Sequence, residues 1–423
     1  MKILLINTSD INGGAAIAAY RLMEALRKED VEVRMLVKDK FSDNDNVTSV
    51  NSSWLKRKIN LLRFVWERLI IWLNNGFSKT NLFAVSIANT GNDISKMAEV
   101  QNADIIHLHW YNQGFLSLAN LEKLLRLGKP VVLTLHDMWN VTGICHYSWT
   151  CKKFENQCDA CPFLVTTKTN DLSAKIFEKK KDLFAKYSEN IHLVSVSSWL
   201  GAQCRRSRIL SPLPVSVIFN VIDIEKFKPG NRTIARKKLG IPHRKRVILM
   251  GADKINAPIK GFGFLKDALT RLNCKDDLLL VLFGNIKDDA SFFEILDFPH
   301  LHLGRVNAND LPAIYQAADV TVTPSLYEAF GQTVSESLAC GTPVAAFNNS
   351  GPLDIIDHKE NGYLAKFEDP EDLAAGINWI LNHLNYKNLS EKAREKVVLH
   401  FNETVISKQY IELYRSLMNN DNV

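Results

Sequence analysis

The chain has no apolar run of 18 residues, so no membrane-crossing helix is expected. Its N-terminus, Met-Lys-Ile-Leu-Leu-Ile-Asn, is too short in apolar residues for a secretory leader. It also lacks a large charge excess: 52 Lys plus Arg stand against 46 Asp plus Glu, a net +6. That balance favours no nucleic-acid partner, and by itself no membrane. The G-x-G-x-x-G spacing is missing, which disfavours an NAD-dependent enzyme. Cysteine is sparse, seven residues in 423, and without a leader these read as thiols or metal ligands in a cytoplasmic protein. There is no internal repeat and no low-complexity run.

What is present is a chain long enough for two or three domains, 46% hydrophobic and 23% charged, with ample core. Buried-type strands at 2–7, 31–37, 104–110, 130–137, 191–197 and 215–220 alternate with helical segments, and the pattern restarts at 246–252. Strands follow at 278–284, 301–306, 343–347 and 362–366. Such alternation predicts parallel α/β sheets. Asp369-Pro370 should cap and start a helix, and 387–423 reads as helical, with Tyr410, Leu413, Tyr414 and Leu417 on one face.

The most informative stretch is Pro324 to Gly341, P-S-L-Y-E-A-F-G-Q-T-V-S-E-S-L-A-C-G. A strand-like run ends at Pro324, and a helix is predicted over 333–340 with Gly341 as its stop. Glu328 lies in the turn and Glu336 about one turn into the helix. Between them Gly331, Gln332 and Thr333 offer backbone N–H groups at a helix N-terminus, an anion site. A diphosphate there, with a ribose at one end and a hexose at the other, is the shape of a nucleotide-sugar. An ordinary βα turn with one capping and one solvated Glu is the competing reading. Lys260-Gly261 opens another helix, where a cation makes a second phosphate clamp. Gly13-Gly14 opens a helix at the end of the first strand, where a ligand could approach the backbone closely. Ligands bind outside the carboxyl ends of strands in open α/β sheets, so His109, Trp110, Asn112, His136 and Asp137 fall on the ligand side.

The Pro324–Gly341 stretch resembles the donor-binding motif of retaining glycosyltransferases with the GT-B fold, in particular glycosyltransferase family 4. The resemblance covers nearly the whole chain; it is strongest over 246–366 and weakest over 39–100. It implies two Rossmann-like domains facing across a cleft. Residues 1–223 would form the acceptor-binding domain, with a C-terminal helix 396–423 crossing back to it. Residues 224–395 would form the donor-binding domain. By that resemblance Glu328 holds sugar hydroxyls, Glu336 holds the ribose, and the Phe330-Gly331 pair belongs to the same motif. His136 corresponds to a strand-end His that hydrogen-bonds the donor sugar near the reacting centre, and the Gly13-Gly14 loop to one touching the donor. The family also uses a cation a few residues before Lys260; Lys254 is the nearest, in uncertain register. Val221 stands where the family's linker commonly has Gly.

The implied activity is metal-independent retaining transfer of a hexose from a UDP- or GDP-sugar, with no organic cofactor. The acceptor would be a surface polysaccharide or a polyprenyl-linked glycan. Rival readings are a nucleotide-sugar epimerase of the same fold and a non-catalytic sugar-nucleotide binding protein.

Two further segments stand out. Trp54 to Leu73 is helical by period, with Leu55, Ile59, Leu62, Trp66, Leu69, Ile70 and Leu73 on one face and Lys56, Arg57, Lys58, Arg63 and Arg68 around them. It suits an anionic membrane surface, giving peripheral contact at the inner face of the cell membrane, and it equally suits packing on the domain with a solvated basic rim. Cys145, Cys151, Cys158 and Cys161 fall within one short segment, a spacing that can close tetrahedrally on a structural Zn²⁺. A loop of free thiols, or a labile disulfide, competes. The polysaccharide-building branch of the resembled family carries a similar cluster.

Overall fold

A computed structural model describes residues 1–273, 275–286, 292–293 and 296–420. Residues 421–423 of the expected terminal helix lie outside the described residues. The chain divides into two compact units, Met1–Phe219 with Ile406–Val423, and Asn220–Val405.

The first unit is built on a seven-stranded parallel sheet. Its strands are β1 (Lys2–Ser9), β2 (Glu32–Asp39), β3 (Val47–Ser49), β4 (Ile105–Leu108), β5 (Val131–Leu135), β6 (Ile191–Ser195) and β7 (Val215–Val217), in the order β3-β2-β1-β4-β5-β6-β7. The second unit has six parallel strands: β8 (Arg246–Lys254), β9 (Leu278–Asn285), β10 (His300–His302), β11 (Val320–Thr323), β12 (Val344–Phe347) and β13 (Gly362–Ala365). Their order is β10-β9-β8-β11-β12-β13. Both sheets are therefore doubly wound, each starting at a central strand, growing outward one way and then reversing. The reversal leaves a crevice at the carboxyl ends of β1 and β4 in one unit and of β8 and β11 in the other.

The reason lies in the residues. Parallel strands covered on both faces are apolar throughout, as Ile3, Leu4, Leu5 and Ile6 of β1 are, all buried. The helix Gly14–Lys28 buries Ala19, Leu22, Met23 and Leu26, the three- and four-residue spacing of one face. In the second unit Ile248, Leu265, Leu280, Val322, Ala345 and Leu373 share one core. Asp369 caps the helix Pro370–Leu381, accepting from the amides of Glu371 and Asp372 at 3.0 Å.

One sequence expectation is corrected. The helix Trp54–Asn74 forms, but the apolar face that would pack on the domain points outward, and the buried residues are Asn60, Glu67, Arg68 and Ile71. The four cysteines Cys145, Cys151, Cys158 and Cys161 line one small pocket. All four thiols are free, and among the described residues no three His, Cys, Asp or Glu side chains are grouped to hold a metal ion. Cys145 and Cys161 also join an apolar cluster with Ile71, Val85, Ile144, Phe163 and Leu164, packing as small hydrophobes. Burial pushes the Cys158 thiol up to about 12 and the Cys145 thiol higher still. The segment is tied down by Asp171, which accepts from the Cys161 amide at 2.7 Å while capping the helix Leu172–Lys186.

Candidate functional site

In the second unit the switch point brings three loops together. The loop after β8 ends in the short turn Pro258–Lys260, the loop after β11 runs from Pro324 to Gly331, and the loop after β12 carries Asn348 to Gly351. The Leu326 amide donates to the Ile259 carbonyl at 2.8 Å, and the Gly351 amide to the Glu328 carbonyl at 2.9 Å. Ser350 Oγ accepts from the Glu328 amide at 3.0 Å. Gly261 lies so close to β11 that a Cβ there would sit 1.8 Å from the Pro324 carbonyl oxygen. The result is a rigid cradle in which Lys260 Nζ meets Glu328 Oε1 at 2.6 Å.

Gly331, at φ +112°, turns the chain into the helix Gln332–Ala339, which starts one residue earlier than expected and has no side-chain cap. A left-handed residue before an uncapped helix aims its first N–H groups out of the turn, a geometry suited to an anion. Phe330 is buried, edge-on to Phe401 with ring centres 5.6 Å apart, so it supports the turn from beneath. Thr333 lies in the first turn of that helix.

The two carboxylates of the motif differ in setting. Glu328 is held by Lys260. Glu336 is only 4% exposed, and its Oε2 accepts from the Tyr315 hydroxyl at 2.9 Å. The sequence reading takes both as grips on ligand hydroxyls and misses Tyr315, which lies 21 residues upstream on a different helix. Lys254 is exposed at the end of β8 and lies outside the Lys260–Glu328 pair.

In the first unit the carboxyl ends of β1, β4 and β5 are laced in the same way. The Thr8 amide donates to the Trp110 carbonyl at 2.7 Å, and the Trp110 amide to Asn7 Oδ1 at 2.8 Å. Gly13, at φ +101°, precedes the helix Gly14–Lys28, which also lacks a side-chain cap. A Cβ at Gly13 or Gly14 would meet nothing within 4 Å, so the space over this backbone is open.

His136 follows β5 and shares a hydrogen bond, Nε2 to Nδ1 at 2.9 Å, with His109 after β4. Behind them His107 bonds the Tyr414 hydroxyl at 2.7 Å and Thr134 Oγ1 at 2.7 Å. His109 Nε2 and Asn112 Oδ1 are buried and have no protein partner. Asp137 accepts from Trp110 Nε1 at 2.8 Å and pairs with His146 Nδ1 at 2.6 Å. Burial pushes the Asp137 carboxyl up, but His146 and the hydrogen bonds from the Trp139 amide and the Trp110 indole together outweigh it, and the net shift is downward. The His109–His136 pair was within reach of the sequence, because both follow the ends of neighbouring strands.

The imidazoles of this row are neutral. Burial lowers His136 to about 4, with the Asp137 charge opposing, and puts His107 and His109 well below their ordinary range. A depressed histidine adds stability that is complete above the unfolded value of about 6.5 and is lost as pH falls toward the folded value. Urea denaturation should therefore show stability falling between about pH 6.5 and 5, by as much as roughly 1.4 kcal/mol per pH unit for each excluded proton. A flat profile there contradicts buried neutral imidazoles.

Residues 231–396 match the family described as Glycosyl transferases group 1, and residues 12–226 match Glycosyltransferase Family 4. The chain is 27% identical to a D-inositol 3-phosphate glycosyltransferase of Saccharomonospora viridis, over 74% of this chain and 70% of the relative. Among solved structures it is similar to sucrose-phosphate synthase from Thermosynechococcus elongatus, with TM-score 0.70 and 21% identity over 99% of each chain. It is also similar to HepE from Anabaena in complex with UDP and glucose, with TM-score 0.62 and 18% identity over 98% of this chain and all of that one. The structural likenesses show the fold; the family 4 match, which spans just over half of the residues, shows that this chain belongs to the family 4 glycosyltransferases.

Proposed function

We propose that the chain transfers a hexose from a nucleotide-sugar to a surface polysaccharide or polyprenyl-linked glycan, with retention of anomeric configuration. The observation that carries this reading is the Lys260–Glu328 pair beside the Gly331 turn, at the sheet's switch point. Support comes from the family membership and from the Anabaena relative, which binds UDP and glucose.

In the reaction the bond from the anomeric carbon to the diphosphate breaks, a bond to the acceptor hydroxyl oxygen forms, and the hydroxyl proton passes to the leaving diphosphate. Negative charge accumulates on the leaving diphosphate. Lys260 and the N–H groups following Gly331 take up that charge, a fixed electrostatic stabilisation needing no divalent metal. Glu328 accepts from donor-sugar hydroxyls and keeps Lys260 in position. Glu336, steadied by Tyr315, takes the ribose hydroxyls. By the family resemblance, His136 and the Gly13-Gly14 backbone are the candidate ligand groups of the Met1–Phe219 unit. The Asn220–Val405 unit is the donor domain and the Met1–Phe219 unit the acceptor domain.

Incubation with a panel of UDP-, GDP- and ADP-sugars in EDTA, with glycan acceptors, tests this. Nucleoside diphosphate release that depends on acceptor is expected with one donor. Interconversion of nucleotide-sugars without acceptor would mean an epimerase; binding without turnover would mean a non-catalytic protein. No binding at all removes the donor-site reading.

A further inference from the structure

The helix Trp54–Asn74 is inverted. Positions 60, 64, 67 and 71 face the protein, a three- and four-residue spacing, and three of these four are Asn60, Glu67 and Ile71, all buried. Positions 54, 58, 62, 65, 69 and 73 make the opposite stripe. There Trp54 is 72% exposed and Leu62 66%, and Trp66 beside them is 52% exposed. Scattered exposed apolar residues are ordinary, but an exposed stripe running the length of the helix and apolar at every position except Lys58 is not.

The inversion is built in. Glu67, fully buried, accepts from the Ile87 and Ala88 amides at 2.8 and 3.0 Å. Arg68 donates to the Leu82 and Val85 carbonyls at 2.5 and 2.9 Å and pairs with Glu67 at 3.0 Å. Asn60 accepts from Asn92 at 2.9 Å and donates to Asn51 at 2.5 Å. The polar side thus satisfies backbone groups of the irregular segment 82–88. Turning the helix over would strand a buried carboxylate and a guanidinium, which costs several kcal/mol. The apolar side is fixed outward.

We infer that this outward face seats on an anionic lipid surface, entering the headgroup region with Trp54, Leu62, Val65, Trp66 and Leu69. The charge on the page selects that occupant. Lys56, Arg57 and Lys58 are exposed at the start of the helix, and its one acid, Glu67, is buried. A second copy of this helix would bring no carboxylate to those cations, whereas anionic headgroups complement them. Trp and Leu beside Lys and Arg is the composition of an interfacial helix. No helix among the described residues is long and apolar enough to cross a membrane, so this contact lies on the surface. The inference deepens the proposal of a lipid-linked acceptor but stands apart from the donor chemistry.

Sedimentation of the full chain with phosphatidylglycerol–phosphatidylcholine vesicles, against phosphatidylcholine alone, tests it. The chain should partition onto the anionic vesicles. Neutralising Lys56, Arg57 and Lys58 to Gln should weaken binding about fivefold per cation, as roughly 1 kcal/mol each requires. The double variant L62E/W66E should lose binding while keeping its melting temperature and lipid-free donor turnover, because both side chains are exposed. Absence of binding to anionic vesicles by the folded chain overturns the inference. So does a dimer in solution that L62E/W66E dissociates, which would make the face a protein interface.

Discussion

Lys260→Ala should lower kcat by two to three orders of magnitude, the usual loss (about 10²–10³) when one fixed donor to a developing anion is removed. Lys260 is held in place twice. Its carboxylate partner is 2.6 Å away, and the turn that carries it is bonded to the loop after β11 through Leu326 and Ile259. Such a cation contributes most when charge builds on the leaving diphosphate, so kcat falls more than KM rises. Arginine at this position should recover only part of the rate, because a planar fork does not reproduce the ammonium's placement. The pair is partly exposed, so folding stability should change by about 1 kcal/mol or less. Steady-state kinetics with the best donor decide the matter, and an unchanged kcat removes Lys260 from the chemistry.

Gly261→Ala should be damaging for a different reason. Gly261 has φ +66°, and its Cβ would lie 1.8 Å from the Pro324 carbonyl oxygen, a backbone atom at the end of β11. No rotamer change relieves that contact. The turn carrying Lys260 or the loop carrying Glu328 must move, and the cradle opens. The expected cost is about 1–3 kcal/mol from overpacking plus roughly 1 kcal/mol from the left-handed backbone. Turnover should be lost as the 2.6 Å pair separates. Gly263→Ala, two residues on and inside the helix Phe262–Thr270, is the control. A Cβ there meets nothing within 4 Å, so it should stabilise by about 0.5–1 kcal/mol. Urea denaturation of both variants beside their kinetics checks the contrast, and equal stability for the two contradicts it.

How much of this was legible in the sequence follows from the range of each interaction. Alternating strands and helices give the doubly wound sheets, because local periodicity and burial on both strand faces are written in neighbouring residues. The Asp369-Pro370 start and the turn at Gly331 are legible for the same reason. The orientation of the helix Trp54–Asn74 is not. Periodicity shows that two faces exist, and apolar residues ordinarily go inside. Here the polar face wins because Glu67 and Arg68 meet backbone groups 14 to 21 residues away that no spacing rule anticipates. The convergence of the four cysteines on one pocket is suggested by their spacing, but the apolar packing of Cys145 and Cys161 depends on residues far along the chain. The burial of Glu336 against Tyr315 likewise depends on packing between two helices.

A nucleoside diphosphate gripped at the switch point of the Asn220–Val405 unit can be seen directly. The most direct measurement is a crystal structure of the chain soaked with UDP or GDP. Diphosphate oxygens should lie within hydrogen-bond reach of Lys260 Nζ and of the amides following Gly331, with the ribose against Glu336. A diphosphate bound elsewhere, or a ligand-bound Glu336 still turned wholly onto Tyr315 and away from the ribose, would contradict it.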